Sequence, residues 1–146
     1  MNFGIVDNRF LARSVGLLNP KSPLLLSQDS TVAEAIAILQ REKIGAIVTT
    51  DNNGKIAGIF TERDIVLKVI CKHTDFDSIE VSKVHTANPQ TIEMTSSIAF
   101  ALNMMSQGGY RHIPIVEDDQ IPVGMISVKD IIDYIVTAIT KDLNVV

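Results

Sequence analysis

The strongest constraint on what this chain can fold into is that it matches itself. Shifted by sixty-six residues without a gap, Pro23 falls on Pro89, Ser30 on Ser96, Ala33 on Ala99, Ala35 on Ala101, Ile47 on Ile113, Gly58 on Gly124, Asp64 on Asp130 and Ile65 on Ile131. Thr61 falls on Ser127, which keeps a hydroxyl. A fixed internal period means one structural unit used twice. The hydrophobic spacing repeats along with the identities. Val32, Ala35, Ile36 and Leu39 occupy one helical face, and the shifted set Ile98, Ala101, Leu102 and Met105 occupies the same face. The first helix opens on Asp29-Ser30-Thr31 with Glu34 placed for a capping box, and the second opens on Thr95-Ser96-Ser97. Gly45 and Gly108-Gly109 are the expected stops.

After each helix comes a β-like run, Ile44 to Thr50 or Tyr110 to Val116, then a polar turn and a second run ending at Phe60 or Ile126. The first turn, Asp51-Asn52-Asn53-Gly54, carries an Asn-Gly hairpin signal; Glu117-Asp118-Asp119-Gln120 is a weaker one. Final helices are expected near Glu62 to Lys72 and Val128 to Thr140, and short extended pieces at Leu24–Leu26 and Gln90–Ile92. Each unit therefore reads β-α-β-β-α, an α/β (α+β) class. Neither repeat buries its helices and sheet alone, so the two are expected to pack on one another. The expected division is an N-terminal helical segment 1–16, repeat one 17–72, a linker 73–82, repeat two 83–140 and a C-terminal tail 141–146. In the tails Phe3, Val6 and Phe10, and likewise Ile131, Ile135 and Ile139, have helical spacing, which suits either covers for the core ends or a dimer contact. Met1 and the short tails lead us to expect a complete, stand-alone product.

Charge and composition exclude several functions. Thirteen Lys and Arg against seventeen Asp and Glu give a net charge of −4, with the basic residues scattered. Phosphate-neutralising contact with nucleic acid or an anionic membrane surface is disfavoured. No apolar stretch reaches the roughly 18–20 residues that span a bilayer, and Asp7, Arg9 and Arg13 stand where a signal peptide needs its apolar core. Cys71 is the only cysteine, which fits a reducing compartment and a cytoplasmic location, and its apolar neighbours predict a packing role. His73, His85 and His112 have no metal-ligand spacing. No nucleophile beside a base, paired carboxylates or metal cluster is legible, so catalysis is not expected.

Chemistry concentrates in the repeated Gly-x-x-Thr/Ser-x-x-Asp. One reading is structural: Thr61 and Ser127 cap a helix, and Asp64 and Asp130 complete the box. The other is ligand binding. A strand running into a helix N-terminus presents unpaired amides and the positive end of the helix dipole to phosphate, and a carboxylate one turn on suits a ribose diol.

Gly-Ile-Phe-Thr-Glu-Arg-Asp at 58–64, Gly-Met-Ile-Ser-Val-Lys-Asp at 124–130, Ile-Gly-Ala-Ile-Val at 44–48 and Tyr-Arg-His-Ile-Pro-Ile-Val at 110–116 resemble tandem cystathionine-β-synthase (CBS) domains. The resemblance runs from about Leu17 to Val136. It implies two β-α-β-β-α repeats packed sheet to sheet with pseudo-two-fold symmetry, a Bateman module whose two clefts between the repeats bind AMP, ADP or ATP, and in some members NAD(H) or S-adenosylmethionine. It also implies a homodimer. Carried over, it assigns Asp64 and Asp130 to ribose, Thr61 and Ser127 to phosphate, and the backbone at Ala46, Ile47 and Ile113 to adenine. Arg63, Lys129, Arg111 and His112 are the candidate phosphate cations. On a strand Arg111 and His112 point to opposite faces, and their counterparts in repeat one are Gly45 and Ala46, so one cleft is expected to bind better. Thr61 to Asp64 backed by Arg111 and His112 is the favoured one. The expected function is an adenine-nucleotide-sensing regulatory module, with AMP the leading ligand, no required cofactor and a protein partner the sequence does not name. The alternative is a ligand-free dimerisation or protein-interaction module.

Overall fold

The computed structural model describes residues 7–142, so Phe3 and Val6 of the expected N-terminal spacing lie outside the described residues. In chain order the elements are α1 (Asn8–Leu11), β1 (Leu25–Ser27), α2 (Val32–Glu42), β2 (Ala46–Thr50), β3 (Ile56–Thr61), α3 (Glu62–Asp64), β4 (Thr86–Ala87), α4 (Ile98–Gly108), β5 (His112–Glu117), β6 (Ile121–Ser127) and α5 (Val128–Asp142). The chain forms two compact units. One is Pro23–Gln90 with Asp118–Pro122; the other takes the chain up to Ser22, Thr91–Glu117 and the chain from Val123 on.

In the Pro23–Gln90 unit, four strands form one sheet in the order β1-β2-β3-β4. β1 runs parallel to β2, with Leu26 opposite Thr49, because α2 carries the chain back between them. β2 and β3 form an antiparallel hairpin. In its turn Gly54 takes a positive φ of 76°, and Asp51 Oδ1 accepts from Asn53 N and Lys55 N. The repeat-equivalent core residues Val32, Ala35, Ile47 and Phe60 are buried together under α2, joined by Val81 and Val84. Each large apolar side chain so buried contributes about 1.5–3 kcal/mol.

The second unit repeats that frame. β5 pairs with β6, and the bridge Ile92–Ile115 is the Leu26–Thr49 pair moved by one repeat. Ile98, Ala101, Ile113 and Ile126 fill the equivalent core positions. Phe10 and Val15 from the N-terminal segment are buried in this same core, so that segment covers a core end rather than standing free. Of the C-terminal set, Ile131 is buried, Ile135 packs partly against the core and Ile139 is exposed. Asp119 and Gln120 close the hairpin with consecutive positive φ values, as a type I′ turn requires.

Three details differ from the sequence expectations. α2 stops at Glu42, with Lys43 rather than Gly45 in the left-handed cap. The helix after β3 is not a regular helix to Lys72: α3 passes into a single π-helical stretch, Ile65–Val69, and ends there. Beyond Ile70 the sequence turns to Cys-Lys-His-Thr-Asp and offers no apolar face to bury, whereas α5 continues through Ile135 to Asp142. Cys71, expected to pack, is exposed, with a φ of 63° just past that helix end.

Candidate functional site

β3 delivers Thr61 in an extended conformation to the start of α3, where it is the N-cap. Its hydroxyl accepts from Asp64 N at 3.3 Å and donates to Asp64 Oδ2 at 3.0 Å, while Thr61 N donates to the same oxygen at 2.9 Å. The second motif is built alike. Asp130 N donates to Ser127 Oγ at 3.2 Å, and Ser127 Oγ and N each donate to Asp130 Oδ2 at 2.7 Å. Glu62 N donates to Gly45 O at 3.2 Å and Val128 N to Arg111 O at 3.0 Å, again one repeat apart. Both motifs therefore make the reciprocal bonds of a capping box. Two first-turn amides and the capping hydroxyl are already bonded in each, contrary to the expectation of amides open to phosphate.

The two carboxylates then part company. Asp64 is 5% exposed. Its Oδ1 meets Lys68 Nζ at 2.7 Å and accepts from Thr86 Oγ1 at 3.1 Å. With the two bonds to Oδ2, that fills the roughly four acceptor positions a carboxylate has. Lys68 Nζ also donates to His85 O at 3.3 Å and Thr86 Oγ1 at 3.2 Å, tying β4 to the π-helical stretch. Asp130 is exposed, and among the described residues its Oδ1 accepts no hydrogen bond. The repeat counterpart of Lys68 is Tyr134 and that of Thr86 is Pro20. The Tyr134 ring stacks on Phe10 at 5.6 Å and its hydroxyl accepts from Arg13 at 3.4 Å.

Beside Asp64 sits a second polar pair, a buried threonine and a half-buried histidine. Thr49 Oγ1 and His85 Nδ1 are 2.7 Å apart, and Thr49 is fully buried. Burial and the Lys68 charge hold the His85 imidazole below its usual pKa, with Asp64 opposing them. Gly58 makes room for this ring: a Cβ there would lie 2.4 Å from His85 Nδ1.

The remaining predicted residues are placed as follows. Arg63 and Arg111 are exposed and His112 is half-buried at the start of β5. Through its carbonyl Arg111 sits at the start of α5, beside Ser127 of its own unit. Lys129 is hydrogen-bonded to Asp133, which holds its ammonium pKa above the usual value. The side chains of Ala46, Ile47 and Ile113 are buried. β1 pairs with β2 from Val48 onward, and Val48 N donates to Leu24 O at 3.0 Å. Sequence reasoning missed Lys68, Thr86, His85 and Thr49. Lys68 had a signal, an i,i+4 position from Asp64; Thr86 and His85 are remote in sequence and had none.

A family model described as the CBS domain matches residues 17–70 and 81–137. A CBS domain-containing protein of Arabidopsis thaliana is 33% identical over 129 residues, covering 88% of this chain and 23% of its own length. The chain thus spans about a quarter of the curated relatives of that type. The crystal structure of a CBS-domain containing protein from Agrobacterium tumefaciens is 31% identical, with a TM-score of 0.75, covering 83% of this chain and 98% of that one. A CBS domain protein from Pyrobaculum aerophilum complexed with AMP has the same fold at 24% identity and a TM-score of 0.73, covering 80% of this chain and 88% of that one.

Proposed function

The chain belongs to the CBS domain family as a tandem pair, and from that premise we propose that it is a regulatory module that binds an adenine nucleotide of the AMP type intact. Occupancy alters the arrangement of the chain or of its assembly and so the activity of a protein partner, within the limit set by the ligand's differential affinity for the two states. The observation that carries this reading is the repeated strand-to-helix motif, which holds a carboxylate in the same hydrogen-bond frame in both repeats. A fold neighbour complexed with AMP supports the ligand class. Exposed cations at Arg111 and Lys129, and Arg63 in the first motif, supply candidate charge for phosphate. The strand backbone at Ala46, Ile47 and Ile113 supplies candidate amide and carbonyl groups for adenine. Bond breaking has no support in the site.

A second reading, an interaction module, draws on apolar side chains left exposed at equivalent repeat positions. Val66 and Ile70 in one unit match Ile132 and Val136 in the other. Exposed aliphatic residues at shared positions suit self-association, and we include a homodimer in the proposal. Among the described residues no helix is long and apolar enough to cross a membrane.

Isothermal titration calorimetry of nucleotide-stripped protein with AMP tests the proposal, with ATP, NADH and S-adenosylmethionine as comparators. Saturable binding of AMP is the expected result. No heat from any of the four at sub-millimolar concentrations and at two temperatures refutes the sensor reading and leaves the interaction module.

A further inference from the structure

The repeats share one motif, but the structure gives their carboxylates different states. Asp64 is buried and accepts from Thr61 N, Thr61 Oγ1, Thr86 Oγ1 and the Lys68 ammonium. A ribose diol needs two acceptor positions on a carboxylate, and at Asp64 none is left without displacing Lys68 or Thr86. Displacement is costly, because a buried charge separated from its partner loses far more than an exposed one. Asp130 is an exposed residue with the same capping bonds on Oδ2, and among the described residues its Oδ1 accepts no hydrogen bond. The difference traces to two positions, Lys68 against Tyr134 and Thr86 against Pro20. Tyr134 spends its ring on Phe10 and its hydroxyl on Arg13, and neither hydrogen-bonds to Asp130.

Building on the nucleotide-sensor reading, we propose that Lys68 is a built-in counter-ion that closes Asp64 to polyol ligands, so that Asp130 is the carboxylate that accepts the ribose. Lys68 is then a specificity-determining residue: it sets how many of the two motifs take ligand. It does so through β4, since the same ammonium holds His85 O and Thr86 Oγ1. Ligand reaching Asp64 would have to break that tie to the edge strand, which pairs with β3 at only two positions, Gly58–Ala87 and Ile59–Thr86.

Two measurements test this. The first needs no ligand: water-soluble carbodiimide with glycine ethyl ester, read by peptide mass spectrometry on the folded full chain. Asp130 should be modified and Asp64 protected, and Lys68→Met should make Asp64 at least tenfold more reactive. Equal labelling of both aspartates in the native chain overturns the proposal. So does continued protection of Asp64 in a folded Lys68→Met chain. The second is AMP calorimetry. Asp130→Asn should weaken AMP at least tenfold more than Asp64→Asn does, and Lys68→Met should raise the stoichiometry from one AMP per chain to two. Loss of binding that is equal or greater in Asp64→Asn overturns the proposal while leaving the sensor reading intact. Native protein that binds no AMP refutes the sensor reading instead, and the labelling result still decides whether Lys68 closes Asp64. Should Lys68→Met not fold, the labelling of native protein and the two Asn variants remain decisive.

Discussion

Gly58→Ala gives the sharpest check on how the Asp64 side of the fold is held together. The added Cβ would lie 2.4, 2.6 and 2.7 Å from three atoms of the His85 ring, distances no packed side chain tolerates, so the ring must leave. The ring is held by Thr49 Oγ1 at 2.7 Å, and Thr49 is fully buried, so its hydroxyl loses that partner. An orphaned buried hydroxyl costs about 1–3 kcal/mol. With repacking of the displaced ring, we expect Gly58→Ala to destabilise by about 2–3 kcal/mol, a fall in Tm of roughly 5–10 °C for a chain of this size. The double-mutant cycle with His85→Ala isolates the cause. His85→Ala alone orphans the same hydroxyl; with the ring gone, the added methyl has nothing to strike, and Gly58→Ala should then cost less than about 0.5 kcal/mol, a coupling of about 2 kcal/mol. The matched control is Gly124→Ala, where the nearest atom is the tip of Ile115 at 3.2 Å; a change of less than about 1 kcal/mol is expected because a flexible methyl moves aside. Urea unfolding of the four chains and the control provides the numbers. Additive losses in the cycle, or a Gly58→Ala chain as stable as the native one, refute the argument that Gly58 exists to seat His85.

His85 also sets a pH dependence. Its folded-state pKa is depressed, so the unfolded chain binds the extra proton first; stability should fall as pH drops from the unfolded value of 6.5 toward the folded one, and His85→Gln should flatten that slope in urea melts at pH 5 and 7. Asp7 is also lowered, chiefly by the backbone hydrogen bond from Phe10, but below 3.8 and hence outside that window. Thr31→Ala removes the side-chain half of the α2 capping box, the bond from Glu34 N to Thr31 Oγ1, while Thr31 N still reaches the Glu34 carboxylate; it should cost about 1 kcal/mol by the same melts, a loss that Thr31→Ser restores. Val136→Glu puts a charge on the exposed apolar face of α5 and should convert the proposed homodimer to monomer by light scattering with the circular dichroism unchanged; a dimer that survives it, together with Ile132→Glu, places the contact elsewhere, and a monomeric native chain refutes the homodimer.

Much of the frame was legible because the residues that set it are local and duplicated. Thr31 with Glu34 announced the start of α2, and the shifted apolar faces named Val32, Ala35, Ile98 and Ala101, all buried as read. Ile47 and Ile113, Phe60 and Ile126 lie at repeat-equivalent places in the apolar runs read as strands, and all four are buried. Helix ends were less legible. Lys43 accepts a left-handed conformation that a reader assigns to glycine, and the π-helical stretch after α3 leaves no mark in the hydrophobic spacing. Gly58 was legible only as a member of the repeated motif. The structure packs His85 against it, a residue separated from it by a helix and a loop.

The asymmetry between Asp64 and Asp130 shows why a duplicated motif is a weak guide to duplicated chemistry. Capping bonds are made by atoms within the motif, so a copy of the motif copies the bonds, down to Glu62 N on Gly45 O and Val128 N on Arg111 O. What a carboxylate offers to a ligand depends on what else it touches. Those contacts come from Lys68, one turn beyond the motif, and from Thr86, far from it in sequence. Neither is constrained by helix capping. Tyr134 and Pro20 occupy those places in the other repeat, and Tyr134 is used for packing instead. A sequence match to the seven-residue motif therefore reports a helix start in both repeats. On the proposal made for Lys68, whether that start is also a ligand site is decided at positions 68 and 86, and their counterparts 134 and 20, outside it.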